Sequence, residues 1–168
     1  MNLSTRIYKK LENWKYTEKY IFEYIQQQKK ILKRINAFLI FIAFIGIIGW
    51  YKYEQLKLFW FVILIISQGF RLIQNLLLPS SDKLFNLKNS VNFYSHNLLD
   101  LENLFYELYK GEDSAKIERK FNKFREEERE MLRHQVDDKI KISHKKKLLA
   151  EKASDDYLIE LKNNIHHE

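Results

Sequence analysis

The sequence contains no cysteine, one proline and four glycines in 168 residues. Without cysteine there can be no disulfide, no thiolate zinc site and no cysteine nucleophile. So few prolines and glycines leave too little turn chemistry for a chain of many short strands, so the expected class is all-α. The familiar catalytic signatures are missing as well. There is no phosphate-binding glycine loop, no HExxH and no GxSxG. No cofactor is expected, and His166 and His167 lie in a terminal segment where metal binding is not expected. The first 34 residues are charged and aromatic, without the apolar core and small-residue cleavage site of a signal peptide.

What the chain does have is sharply partitioned. Hydrophobic residues make up 46% and charged residues 30%, and the formal net charge is +7. The apolar share is concentrated between residues 35 and 78. Ile35 to Tyr51 carries no charge, a short polar break runs from Lys52 to Lys57, and a second apolar run, Leu58 to Leu78, ends at Pro79. A bilayer core about 30 Å thick needs roughly 20 apolar residues in a helix. The pattern predicts two membrane-crossing helices, about 35–53 and 58–78, forming a hairpin. The first run has no solvated face. Trp50, Tyr51, Tyr53, Phe59 and Trp60 cluster at the turn, where an interfacial aromatic belt would sit. Lys29, Lys30, Lys33 and Arg34 form a positive flank before the first crossing, so both termini are expected in the cytoplasm. The alternative is a core hairpin in a soluble helical protein.

Residues 1–34 read as an amphipathic cytoplasmic helix with a stripe of Ile7, Leu11, Trp14, Ile21, Ile25 and Leu32. Thr17 before Glu18 is a possible cap that would bend it. The helix could lie on the membrane surface or pack on a cytosolic domain. Within the second span, Ser67, Gln68, Arg71, Gln74 and Asn75 fall in a wedge of about 120° at 100° per residue. Polar groups at that depth should meet protein or water. They could line a pore between several copies, or Arg71 could snorkel to cytosolic phosphates while its neighbours pair helix to helix.

Residues 79–168 read as a C-terminal cytoplasmic helical domain. After a cap at Ser80 or Ser81, Leu84, Leu87, Val91, Tyr94, Leu98, Leu101, Phe105 and Leu108 alternate three- and four-residue steps, a heptad seam ending at Gly111. That seam could join helices within one chain as a bundle, or join copies as a coiled coil. A further helix from Asp113 or Ser114 to about Val136 has an apolar side of Ile117, Phe121, Phe124, Met131, Leu132 and Val136, and a charged outer face. A basic stretch, Lys139 to Lys147, precedes the last helix. It could be a solvated surface or be drawn to an anionic inner leaflet. RNA is not expected as a partner, because no aromatic platform interleaves the lysines.

Arg129 and His134 form an RxxxxH pattern, which resembles the motif of HEPN-type ribonucleases. That resemblance implies a catalytic pair assembled from two subunits; a structural salt-bridge role is the other reading. The whole layout resembles the small two-span effector proteins of prokaryotic antiviral systems, either SLATT-type effectors or the membrane accessory protein of type VI-B CRISPR systems, which carries a HEPN-like pattern. The resemblance implies a homo-oligomeric pore in the bacterial inner membrane that depolarises the cell and slows growth during infection, with an RNA-guided nuclease system acting upstream. A membrane-anchored ribonuclease and a coiled-coil adaptor are the alternatives.

Overall fold

A computed structural model describes residues 2–52, 55, 57–133, 140 and 142–167. Among the described residues the chain is helical throughout, with no strand: α1 Leu3–Lys52, α2 Lys57–Leu77, α3 Ser81–Tyr109, α4 Ser114–Arg133 and α5 His144–His167. The helices form two compact units. One comprises residues 1–25 and 85–168, the other residues 26–84, and α1 contributes to both.

The helix boundaries follow from local chemistry. The Ser80 hydroxyl accepts from the Lys83 amide at 3.2 Å and caps α3. At the other end Gly111 takes φ +83°. Its amide donates to the Leu108 carbonyl at 3.2 Å, and the Glu112 amide donates to the Glu107 carbonyl at 3.1 Å. This pair of bonds is the Schellman ending that glycine favours. The Asp113 carboxylate accepts from the Ala115 amide at 2.9 Å and starts α4. No break occurs at Thr17. Its hydroxyl donates back to the Asn13 carbonyl at 2.7 Å, one turn earlier, so it serves the helix it sits in rather than capping a new one.

In the first unit, the N-terminal part of α1 is held by α3, α4 and α5. Ile7, Leu11, Trp14, Ile21 and Ile25 are buried as one stripe, together with Leu87, Leu98, Leu101, Leu104, Ile117, Phe121, Leu158 and Leu161. Between the two roles open to residues 1–25, this is packing on the chain's own helical domain. The heptad seam of α3 is part of the same core. Leu87, Tyr94, Leu98, Leu101 and Phe105 are buried in it, and Val91 and Leu108 pack against it. Leu84 falls in the second unit and is half-buried. The seam is therefore part of the chain's own core. What α3 leaves outside is Phe85, Leu99 and Tyr109, each more than half exposed.

In the second unit, the C-terminal part of α1 and α2 form a hairpin. Gly46 and Gly49 face α2. A Cβ added at Gly46 would sit 3.3 Å from Leu64 Cδ2, and one added at Gly49 would collide with the Trp60 indole. Both glycines thus permit a close helix approach, the role small residues have between helices in lipid. Among the described residues α1 is the one helix long and apolar enough to cross a membrane, and only 6% of its most apolar 18 residues are buried. α2 adds 21 residues, about 32 Å of helix.

Candidate functional site

Two places bring chemistry-bearing side chains together: the interior of the helical unit and the outer surface of the hairpin. The first is organised by Trp14. Its ring is fully buried and meets Phe93, Tyr94 and Phe124 edge-on, at centroid distances of 5.9, 5.8 and 6.2 Å. A buried indole N–H needs an acceptor. Glu128 provides it, accepting from Trp14 Nε1 at 2.7 Å. The other carboxylate oxygen of Glu128 binds the Lys10 ammonium, which also lies 5.5 Å from the Trp14 ring centroid. Glu128 is 8% exposed, and its charge is compensated on both oxygens. Burial, and secondarily the Glu128 charge, raise the Tyr94 phenol well above the usual tyrosine range.

Further polar contacts tie α5 into the unit. The Tyr157 hydroxyl donates to Glu102 at 3.1 Å, and burial followed by the Glu102 charge pushes that phenol up strongly. Ser154 donates to the Glu12 carbonyl at 3.0 Å. Lys146 donates to the Glu23 carbonyl at 2.9 Å and pairs with its carboxylate at 3.2 Å. Desolvation raises the Glu23 carboxyl, but Lys146 and then Lys19 outweigh it and hold the group below its ordinary value. Lys146 is therefore a structural cation and not part of a free basic patch. Lys147 likewise reaches Glu151 at 3.6 Å.

These groups are ion pairs and hydrogen bonds between helices. Their arrangement fixes the register of the four helical segments. Ser154 and Glu12 also line a surface cleft of about 470 Å³ with Lys9, Tyr16, Glu151 and Asp155, where the Ser154 hydroxyl is spent on the Glu12 carbonyl. Arg129, the first half of the RxxxxH pattern, is exposed. His134 lies outside the described residues, as do Val136, Lys139 and Lys141. The neighbour that matters structurally is Glu128, which the sequence pattern did not single out. A signal for it was present. Position 128 lies seven residues after Phe121 and four after Phe124, on the apolar side of that helix.

The second place is the hairpin. Of the predicted wedge, Ser67 is 8% exposed and donates to the Leu64 carbonyl at 2.8 Å, so its hydroxyl is satisfied within α2. Gln68 and Arg71 are exposed. The side chains of Gln74 and Asn75 lie outside the described residues. The wedge therefore divides into an inward serine and an outward pair. The aromatic cluster divides as well. Tyr51 and Phe59 are exposed at 92% and 55%. Trp60 instead turns its indole onto Gly49, with Nε1 buried and no hydrogen-bond partner among the described residues. Trp50 and Tyr53 fall outside the described side chains. Around these groups the surface is apolar on both helices, including Phe38, Phe41, Phe44 and Ile48 on α1 and Leu58, Phe61, Ile65 and Ile66 on α2.

No protein-family model, curated protein or solved structure matches this chain.

Proposed function

We propose that the hairpin crosses a bacterial inner membrane twice, with both termini and the helical unit in the cytoplasm, and that several copies assemble through their spans into an ion-leaking pore. The observation that carries this reading is the surface of residues 26–84. Large apolar side chains are exposed on both helices, and an exposed glutamine and arginine stand among them on α2. Water does not favour so wide an apolar surface. Lipid does, but it penalises Gln68 and Arg71. Copies arranged with Gln68 and Arg71 toward a shared aqueous path satisfy both demands. The architectural resemblance to two-span antiviral effectors supports the same reading, in which leakage depolarises the cell and slows growth during infection.

A second reading is supported by the position of Arg71. It lies six residues before the end of α2 at Leu77, about 9 Å along the axis. That is within reach of lipid phosphates by snorkelling, and a monomeric or dimeric hairpin would then be an anchor for a cytoplasmic adaptor. Two measurements on purified protein separate the readings. The pore requires a mass of six or more copies in detergent after subtraction of the micelle, and release of trapped ions from vesicles. A stable dimer without ion release would contradict it and leave the anchor.

A further inference from the structure

We infer that the path through this assembly selects anions; this rests on the pore reading above. The charge content of the hairpin unit is one-sided. Between residues 26 and 84 the sequence holds eight lysines or arginines and two acidic residues, Glu54 and Asp82. Within the apolar parts of the spans, 35–51 and 58–78, Arg71 is the one charged residue. It is exposed on α2. In a symmetric ring every copy places its arginine at the same depth, so each added subunit increases the repulsion felt by a cation. Rings of arginine or lysine are the arrangement by which protein pores favour anions.

A second feature acts at the same end of the hairpin. Lys29, Lys30, Lys33 and Arg34 are all exposed on α1. Counted back from the turn, this segment and Arg71 fall toward the same mouth, with Arg71 the deeper of the two. A cluster of one sign at an entrance raises the local concentration of the opposite ion. The flank thus enriches anions where Arg71 then admits them. Its contribution should fade as ionic strength rises, because exposed charges are screened over about 8 Å at physiological salt. The arginine inside the span is screened less.

The test is the reversal potential of the full-length protein in phosphatidylcholine bilayers across a KCl gradient. Neutral lipid keeps headgroup charge out of the result. A reversal potential displaced toward the chloride equilibrium value is expected. Arg71→Gln, which keeps a polar side chain of similar reach, should move it toward zero, and Arg71→Glu should carry it to the potassium side. A wild-type potential on the potassium side would overturn the inference while leaving the pore intact. A chloride preference unchanged in correctly incorporated Arg71→Gln would overturn the assignment to Arg71. Absence of any current would remove the pore reading itself, and anion selection with it.

Discussion

In residues 1–25 and 85–168 the large apolar side chains turn inward, whereas in residues 26–84 they turn outward. Ile7, Leu11, Trp14 and Leu101 are 0% exposed, while Phe44, Ile47 and Leu58 are 65%, 67% and 78% exposed. Both regions are helical, so secondary structure does not separate them. The difference lies in where polar groups go. The helical unit surrounds its apolar interior with charge and admits one buried carboxylate only with two partners, Lys10 and Trp14. The apolar stretches of the hairpin, 35–51 and 58–78, carry one charge, Arg71, and bury a serine that bonds to its own helix. The first pattern suits water as solvent; the second suits lipid, where backbone and hydroxyl groups must be satisfied internally.

The contrast can be broken most severely at Trp14. Trp14→Ala should destabilise the helical unit by about 4 kcal/mol, because it removes a fully buried ring and strands Glu128. A large fall in melting temperature, followed by circular dichroism in mild detergent, is the expected readout. Glu128→Leu should cost somewhat less, about 3 kcal/mol, since Lys10 keeps partial access to water once its partner is gone. If Glu128→Leu matched the wild type in the same melt, the buried pair would not be fixing the helices.

In the hairpin the discriminating comparison is between glycines. Gly49→Ala should cost about 2 kcal/mol and loosen the α1–α2 contact, because the new methyl meets the Trp60 ring. Gly69→Ala meets no atom within 4 Å and should be close to neutral. Equal effects of the two substitutions, measured by detergent-resistant folding or cross-linking of α1 to α2, would show that this close approach is not needed.

The smallest effect is electrostatic. The Glu23 carboxyl is held below its ordinary value of 4.5 in the folded chain. Its depressed pKa means that the stabilisation is present above that value and is lost as pH falls through the lower folded pKa. It should amount to about 0.5 kcal/mol, and Lys146→Met should flatten this part of the acid limb of stability against pH. A Lys146→Met acid limb identical to the wild type would remove this contact from the account.

The two helices of the hairpin and the helices after Pro79 were legible because their signals are long: an apolar block, a proline-serine break and a heptad seam of eight positions. Caps were legible for the same reason that they work, since Ser80, Gly111 and Asp113 have few alternatives at helix ends. Periodicity could not say whether the α3 seam faces its own chain or another, because both partners present the same apolar stripe. The structure assigns it to the chain's own core. Thr17 was misleading because a threonine hydroxyl bonds backward within a helix as readily as it caps one. Glu128 was passed over because charge was weighed before helical position. Periodicity grouped the wedge, but Ser67 is buried while Gln68 and Arg71 are exposed, a division that depends on how α1 and α2 pack at Gly46 and Gly49.

The central claim, that residues 26–84 have lipid as their solvent and cross it twice, is best tested by cysteine labelling. The chain has no cysteine of its own, so single substitutions report cleanly. Gln55, between α1 and α2, and Asp155, on α5, are both exposed. In intact inner-membrane spheroplasts, a membrane-impermeant maleimide should modify Gln55→Cys from outside and reach Asp155→Cys only after lysis. Protection of both positions until lysis would place the turn in the cytoplasm and contradict the two-span account.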